Sequence, residues 1–166
     1  PEAYTIGWQP FLGLKIYLDS KPLIPRPETE WWTEQLLTHV GHPMSHMKFL
    51  DLCTGSGAIG CAALAKLPNA HVYFGEINPA HEATILKNIR ENNLDASRAE
   101  VRIGDLFEPF KETQFDVIAA NPPYVPSGRV LPGSVADYEP ALALRAGEDG
   151  LDIIRRIAME LPRHLS

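Results

Sequence analysis

The middle of the chain alternates between short apolar runs and longer segments with a helical repeat of apolar positions. The apolar runs predict four strands, namely "MKFLDLC" (47–53), "HVYFGEI" (71–77), "AEVRIGDLF" (99–107) and "FDVIAANPPY" (115–124). Strands that alternate with helices indicate an α/β fold, with a mostly parallel sheet and helices packed on both of its faces.

Two helices are predicted between these strands. The first, "AIGCAALAKL" (58–67), is rich in helix-forming residues. In the second, which starts at "NPAHE", Asn78 is a plausible N-cap and Pro79 suits the first helical position. Its buried face is predicted to consist of Ile85, Leu86 and Ile89.

The first forty residues have a different pattern. "FLGLKIYLD" (11–19) partly alternates, and we expect it to form a hairpin arm with "KPLIP" (21–25). A helix is predicted to begin after Pro27. Its buried face is predicted to consist of Leu36, Leu37 and Val40.

After Tyr124 the chain is rich in proline and glycine up to about residue 146, which indicates a long loop. "GLDIIRRIAMELPRHL" (150–165) then predicts a last amphipathic helix. We therefore divide the chain into an arm or linker, residues 1–25, and a catalytic domain, residues 26–166.

Composition limits the class of protein. At 166 residues and 45% hydrophobic content, the chain suits one globular domain. No apolar stretch approaches the ~20 residues of a membrane span, and no leader pattern is present, so we expect a cytoplasmic protein. The net charge of −6 gives no general reason to expect binding to a polyanion, although it does not exclude a local basic patch.

The cysteines and histidines do not predict a metal site. Cys53 and Cys61 have no further cysteine with which to form a zinc set, and small buried thiols in a reducing compartment are expected. "HPMSH" places His42 and His46 four positions apart, but its proline and serine favour a loop over a helix. We expect no bound metal.

A glycine-rich motif follows the first strand of the sheet. "DLCTGSGAIG" contains Gly55, Gly57 and Gly60 in the spacing G-x-G-x-x-G, and Glu76 follows about twenty residues later. Glycines let a backbone approach a ligand closely, and a carboxylate accepts hydrogen bonds from ribose hydroxyls. Three interpretations fit: a tight turn without ligand, a nicotinamide dinucleotide, or S-adenosylmethionine.

Acidic residues at the strand ends favour S-adenosylmethionine. Asp51 lies four residues before Gly55, where its negative charge would repel a pyrophosphate but suits an ammonium and a sulfonium. Asp105 and Leu106, after the third strand, are placed to meet an adenine amino group and an adenine face.

"NPPY" at residues 121–124 ends the fourth strand, because proline cannot donate to a sheet ladder. The Asn121 side-chain oxygen and the Pro122 carbonyl would accept both N–H bonds of a planar amino group and leave its nitrogen lone pair free to react. The prolines, including Pro123, stiffen the loop, and Tyr124 would stack on the flat group. Adenine N6, guanine N2 and a glutamine amide all fit, and a simple strand terminator is the alternative.

Taken in order along the chain, six motifs resemble those of the HemK/PrmC family, the N5-glutamine methyltransferases of peptide chain release factors. The resemblance covers nearly the whole chain, and "PRPETE" and "YEP" are more specific to this family than "NPPY". The motifs are "LIPRPETE" (23–30), "DLCTGSGAIG" (51–60), "GEINPAHEATILKN" (75–88), "GDLF" (104–107), "NPPYV" (121–125) and "YEPALALRAGEDGL" (138–151).

The resemblance implies a Rossmann-like class I fold, S-adenosylmethionine as cofactor and a release factor as protein substrate. We expect no metal and no membrane partner, and the composition disfavours nucleic acid as a partner. Glu76 would hold the ribose, Leu106 would border the adenine, and residues 121–124 would hold a glutamine in a Gly-Gly-Gln loop. Arg26, Glu28 and Glu30 would order the pocket mouth or contact the substrate. The methionine part of the cofactor would be lined by Cys53, Thr54, Gly55, Ser56 and Gly57.

The chain also departs from the family pattern. Cys53 stands where many members have glycine, and Glu76 where others have aspartate. Members carry an N-terminal helical docking domain and two further C-terminal strands, so we expect a catalytic fragment truncated at both ends. A nucleic-acid amino-methyltransferase and a cofactor-binding domain without turnover are the alternatives.

Overall fold

The computed structural model describes residues 1–41 and 46–166, which form six strands and six α-helices. The strands are β1 (Trp8–Phe11), β2 (Leu14–Tyr17), β3 (Met47–Leu52), β4 (Ala70–Glu76), β5 (Ala99–Ile103) and β6 (Val117–Ala120). The helices are α1 (Glu2–Ile6), α2 (Pro27–Val40), α3 (Ala58–Lys66), α4 (Glu82–Glu91), α5 (Gly133–Ala136) and α6 (Asp152–His164). Short 3₁₀ turns cover Pro79–His81, Ala96–Arg98, Glu108–Phe110 and Ala141–Ala143.

The central sheet contains four parallel strands in the order β5-β4-β3-β6. The register pairs Phe49 of β3 with Val72 on one side and Val117 on the other. Because all four strands run the same way, their carboxyl ends meet at one edge of the sheet. The predicted parallel α/β architecture is confirmed.

Both faces of the sheet are covered, as successive strand residues point in opposite directions. Phe49 and Phe74 are fully buried on the face that packs against α2, α3 and α4. Leu50 and Tyr73 point to the other face, where they join a cluster of phenylalanines and the apolar side of α6. That cluster contains Phe107, Phe110, Phe115, Ile153, Ile157 and Leu161.

The hairpin arm exists, but its predicted pairing is wrong. Residues 14–17 pair antiparallel with Trp8–Phe11 and not with residues 21–25. Leu12 and Gly13 both have positive φ, at 46° and 80°, which is the backbone of the tight turn that joins two strands. The segment 21–25 carries two prolines, which cannot donate to a ladder.

Asn88 of α4 and Asn92, the residue just after the helix, hydrogen-bond to the free edge of β2. The Asn88 amide accepts from Tyr17 N at 2.7 Å and donates to Tyr17 O at 3.1 Å. One helical turn later, Asn92 accepts from Lys15 N and donates to Lys15 O, both at 2.9 Å. Asn88 also donates to Ser56 O at 2.8 Å, so the same side chain ties the hairpin to the glycine loop.

Other predicted faces need correction. Leu86 is 48% exposed, because the buried side of α4 is Thr84, Ile85, Asn88 and Ile89. Asn78 caps the 3₁₀ turn that precedes α4 by accepting from Ala80 N at 3.0 Å. On α2, the buried residues are Thr29, Thr33 and Leu37, with Leu36 and Val40 only half-buried.

The hairpin packs into the same core as the sheet, through Phe11 and Ile16, which are at most 1% exposed. The boundary between residues 1–25 and 26–166 stays a prediction. Within the described ranges, no helix is long and apolar enough to cross a membrane. The "HPMSH" prediction falls largely on residues 42–45, which lie outside the described residues.

Candidate functional site

A cleft lies at the carboxyl ends of the parallel strands, where the sheet topology predicts a ligand site. It contains about 1060 Å³ of space between the protein atoms, part of it open to solvent. Predicted site residues that line it are Cys53, Thr54, Gly55, Ser56, Glu76, Asp105, Leu106, Asn121 and Pro123.

The glycine loop connects β3 to α3 in a sharply turned backbone. Gly55 and Gly57 have φ of 57° and 85°, in the left-handed region that glycine adopts without strain. Cys53 has φ of 59°, which costs a residue with a Cβ about 1 kcal/mol. Burial and nearby carboxylates raise the pKa of its thiol to about 12, so Cys53 stays a neutral, unreactive lining group.

Asp51 lies beneath this loop and not in the cleft. Its side chain is fully buried, and Oδ2 accepts from Thr54 Oγ1 at 2.5 Å and from Gly60 N at 2.8 Å. Oδ1 is buried without a hydrogen-bond partner. Burial raises the pKa of the carboxyl to about 7, although the bond from Thr54 opposes that rise. The carboxyl thus links the two ends of the loop, and direct contact with a cofactor stays a prediction for Asp51 and for Gly57.

Glu76 ends β4 and lines the cleft with a carboxylate that backbone donors hold in place. Oε2 accepts from Gly55 N at 2.8 Å, and Oε1 accepts from Asn78 N at 3.0 Å. A carboxylate has about four lone-pair positions, so each oxygen retains capacity for a further donor such as a ribose hydroxyl. The residue is 7% exposed, and its fixed charge makes this part of the cleft negative.

The end of the cleft beyond β5 is apolar on one side and charged on the other. Leu106 is buried, lines the cleft and has a φ of 48°. Asp105 forms an ion pair at 2.7 Å with Arg156 of α6, a partner that the sequence pattern did not indicate. A carboxylate beside an apolar wall suits an adenine, because the base presents an amino group and a flat face.

Asn121 occupies the junction between this cleft and a second, smaller pocket. Three residues line both spaces, namely Leu23, Asn121 and Ala143. The Asn121 Nδ2 group donates to Thr29 Oγ1 over 3.4 Å, and among residues 1–41 and 46–166 no donor is seen to bond to its carbonyl oxygen.

The rest of the "NPPY" motif divides between the two spaces. Pro123 lines the cleft, whereas Pro122 and Tyr124 line the smaller pocket. Tyr124 is 60% exposed, so its ring face is available to a second molecule.

The "PRPETE" and "YEP" segments meet although 113 residues separate them. Arg26 Nη2 contacts Glu139 Oε1 at 2.5 Å, and Glu139 Oε2 accepts from Ile24 N at 3.2 Å. The Glu139 side chain is 1% exposed, so it provides a buried counterion for Arg26. Glu30 instead accepts from Leu12 N at 3.4 Å, at the hairpin turn and outside both pockets.

Three polar residues stand out among those of the cleft region that sequence reasoning missed. Thr29 lines the cleft from the first turn of α2. The "PRPETE" motif pointed to this segment, but only its charged residues were named as candidates. His81 lines the cleft and bonds to Ser20 Oγ at 2.8 Å through Nδ1, while burial lowers its pKa. Arg156 has no sequence signal, since its partner Asp105 is 51 residues away.

Within residues 1–41 and 46–166, no group of three or more histidine, cysteine, aspartate or glutamate side chains is placed to hold a metal ion. The two cysteines, Cys53 and Cys61, are free. The described site therefore consists of hydrogen-bonding groups, carboxylates and apolar walls.

Comparison with known proteins identifies the family. Residues 30–135 match the family model described as the methyltransferase small domain. The chain belongs to that family. The resemblance to HemK/PrmC is confirmed as well, because curated relatives at 35–39% identity span nearly the whole chain.

Three of these relatives illustrate the similarity. A release factor glutamine methyltransferase of Bacillus cereus is 39% identical over 99% of this chain and 59% of its own length. That of Geobacter sulfurreducens is 36% identical over 100% and 57%. A ribosomal protein uL3 glutamine methyltransferase of Bradyrhizobium diazoefficiens is 35% identical over 100% and 54%. The chain thus spans little more than half the length of these relatives.

Solved structures confirm the fold. The catalytic domain of hMettl16, in complex with the MAT2A 3'UTR hairpin 1, superimposes with a TM-score of 0.66 at 22% identity, over 92% of this chain and 58% of that chain. A methyltransferase from Pyrococcus furiosus gives 0.62 at 21% identity, over 93% and 66%. The predicted Rossmann-like fold of class I S-adenosylmethionine-dependent methyltransferases is confirmed.

Proposed function

We propose that this chain carries the catalytic site of a protein-glutamine N5-methyltransferase that uses S-adenosylmethionine and acts on the Gly-Gly-Gln loop of a peptide chain release factor. The observation that carries the proposal is the position of Asn121. Asn121 lines both a large cleft and a smaller pocket, and its NH₂ group is directed to Thr29.

The large cleft fits S-adenosylmethionine chemically. When bound, this cofactor supplies a methyl group on a positively charged sulfonium. Glu76 presents a carboxylate with unused lone pairs to the ribose, and Leu106 offers an apolar wall to the adenine. The glycine loop, residues 53–57, exposes backbone to the methionine end, and Asp105 keeps a carboxylate near the adenine amino group.

In the smaller pocket, Asn121 and Pro122 act on the acceptor amide. An amide nitrogen is a poor nucleophile, because its lone pair is delocalised into the carbonyl. The Asn121 Oδ1 and the Pro122 carbonyl accept its two N–H bonds, orient the group and stabilise the positive charge that develops on nitrogen. Tyr124 stacks on the flat amide and excludes water. After methyl transfer the amide nitrogen carries one proton in excess, which passes to solvent water.

The lining of the smaller pocket favours an uncharged acceptor over a nucleotide. Among the described residues, Arg26 is the one cation in that lining, and Glu139 neutralises it at 2.5 Å. A nucleic-acid substrate needs phosphate contacts from free lysine or arginine side chains. The net charge of −6 points the same way.

Ribosomal protein uL3 is a second candidate substrate. Two relatives, at 35% and 36% identity, carry that activity in their names, and both match the whole of this chain. The release factor is preferred because several relatives at 36–39% identity are named for it.

Methyl transfer by an Asn121→Ala variant tests the proposal. The wild-type chain should transfer labelled methyl from S-adenosylmethionine to a release factor, and the variant should lose at least about 100-fold in kcat. Its cofactor affinity, measured by calorimetry, should stay within about threefold, since the cleft keeps Glu76 and the glycine loop. Undiminished transfer by the variant would refute the role of Asn121, and no transfer by the wild type despite cofactor binding would refute the activity.

A further inference from the structure

The hydroxyl of Thr29 is the one side-chain group seen to hydrogen-bond to Asn121 in the described part of the chain. Thr29 lies in the first turn of α2, is 8% exposed and lines the large cleft. Its Oγ1 accepts from Asn121 Nδ2 over 3.4 Å, across 92 residues of sequence. None of the catalytic roles described above uses this contact.

We propose that Thr29 is a positioning residue. Its hydroxyl holds the Asn121 amide with the carbonyl oxygen toward the smaller pocket, where the substrate amide would bind. The inference rests on the proposed function, and it assigns a role in the reaction to the "PRPETE" segment.

The reason lies in the two ends of an asparagine amide. One end is a carbonyl that accepts, and the other is an NH₂ group that donates. The substrate amide or amino group that receives the methyl group offers N–H donors, so only the carbonyl end of Asn121 can accept hydrogen bonds from it. If the Asn121 amide rotated by 180°, its NH₂ group would face the NH₂ group of the substrate, and the substrate would lose a hydrogen bond. Thr29 Oγ1 accepts from the NH₂ end and so holds the plane of the Asn121 amide, while the N–H donors of the substrate select the carbonyl end.

Thr29 is itself firmly placed. Pro27 occupies the start of α2, where its fixed φ suits a first helical turn. Arg26, just before the helix, is paired with the buried Glu139. One turn later, Thr33 is fully buried and donates its hydroxyl to Thr29 O at 2.7 Å, a bond to a helix carbonyl that adds little to the placement of this turn. A shift of the helix start would instead have to break the pair between Arg26 and the buried carboxylate of Glu139.

A purely structural hydroxyl predicts a different outcome from a positioning one. If Thr29 only fills a polar space, its removal lowers stability and leaves the rate of the surviving folded protein unchanged. If it orients Asn121, its removal lowers kcat while cofactor affinity and KM stay near their wild-type values.

Three variants separate these outcomes. Thr29→Val keeps the shape and removes the hydroxyl, whereas Thr29→Ser keeps the hydroxyl. Thr33→Val is the matched control, because it removes a buried hydroxyl from the same helix without touching Asn121. The assays are methyl transfer to the release factor, cofactor affinity by calorimetry, and the side-chain amide ¹H–¹⁵N signals of Asn121.

For Thr29→Val we expect kcat to fall about 10- to 100-fold, with KM and cofactor affinity within about threefold of wild type. Thr29→Ser should recover most of the loss, and Thr33→Val should match the wild-type rate. The Asn121 amide signals should shift in Thr29→Val and not in Thr33→Val.

Equal losses in the two valine variants, or a Thr29→Val rate equal to wild type, would overturn the inference. A wild-type chain without methyl transfer would count against the proposed function instead. In that case the Asn121 amide signals still decide the contact: unchanged signals in Thr29→Val overturn it.

Discussion

Replacement of Asp51 by asparagine should change how the stability of this protein depends on pH. Asp51 is fully buried, and burial raises the pKa of its carboxyl from 3.8 to about 7. The asparagine side chain would keep the shape and an oxygen that accepts from Thr54 and Gly60, but it has no proton to lose in this range.

The direction of this pH dependence follows from the pKa of Asp51 in the folded state and in the unfolded state. Between pH 4 and pH 7 the folded state still holds the proton, whereas the unfolded state has released it. The contribution of Asp51 to stability is therefore fully present below pH 4 and is lost as the pH rises toward 7. A difference of about 3 pH units at about 1.4 kcal/mol each amounts to about 4 kcal/mol.

Urea denaturation at pH 4, 5, 6, 7 and 8 measures this effect. The free energy of unfolding of Asp51→Asn minus that of wild type should rise by about 4 kcal/mol between pH 4 and pH 8, because only the wild type loses stability over that range. Taking the difference removes the titration of all other groups, which both proteins share. Asp137→Asn, at an exposed position, controls for the loss of one charge.

A difference between Asp51→Asn and wild type that stays constant from pH 4 to pH 8 would refute the reasoning. It would mean that Asp51 is ionised throughout, so that its buried oxygens have a partner that stabilises the negative charge.

The remaining predictions concern packing and hydrogen bonding around the site. Gly60→Ala should destabilise the fold by about 2 kcal/mol despite better helix propensity, because the new Cβ would lie 2.2 Å from the Phe74 ring; unchanged urea unfolding would contradict this. Arg26→Met should cost about 3 kcal/mol by leaving Glu139 buried and unpaired, and adding Glu139→Leu should restore most of the loss in thermal unfolding; additive losses would argue against the pair. Asn88→Ala should accelerate amide hydrogen exchange in the hairpin, since this side chain makes three bonds to the hairpin and the glycine loop. Unaltered exchange would show that the bonds of Asn92 and the apolar contacts hold the hairpin without Asn88.

The parallel sheet was predictable because local signals agree. Each strand is a short apolar run that ends in polar or glycine-containing sequence, and each intervening helix has its own apolar repeat. The carboxyl ends of such strands converge whatever the rest of the chain does. Cys53, Glu76, Leu106 and Asn121 could therefore be placed at one cleft from strand ends alone.

The hairpin pairing was not predictable in the same way. Alternation in residues 11–19 extends across the turn at Leu12 and Gly13, so the pattern does not mark where one strand stops. Only positive φ at two consecutive residues defines the turn, and Leu12 gives no composition signal for it. The edge of β2 is then covered by side chains of Asn88 and Asn92, whose polar character looks like an exposed helix face in sequence.

The contacts that order the site were beyond sequence reasoning because they join distant segments. The pairs Arg26–Glu139 and Thr29–Asn121 connect helix α2 to the loop after β6 across 113 and 92 residues. For Asp51, the sequence predicted the position along the chain but not the burial of the side chain. Its position at a strand end was correct, but the depth of the loop above it decides that the carboxyl faces backbone donors and not the cleft.

Identification of the methylated atom tests the central claim most directly. The wild-type chain is incubated with labelled S-adenosylmethionine and equal amounts of release factor, ribosomal protein uL3 and undermethylated nucleic acid, and the products are mapped by tandem mass spectrometry. We expect one methyl group on the side-chain nitrogen of the glutamine in the Gly-Gly-Gln loop of the release factor. Label found only in nucleic acid would contradict the account.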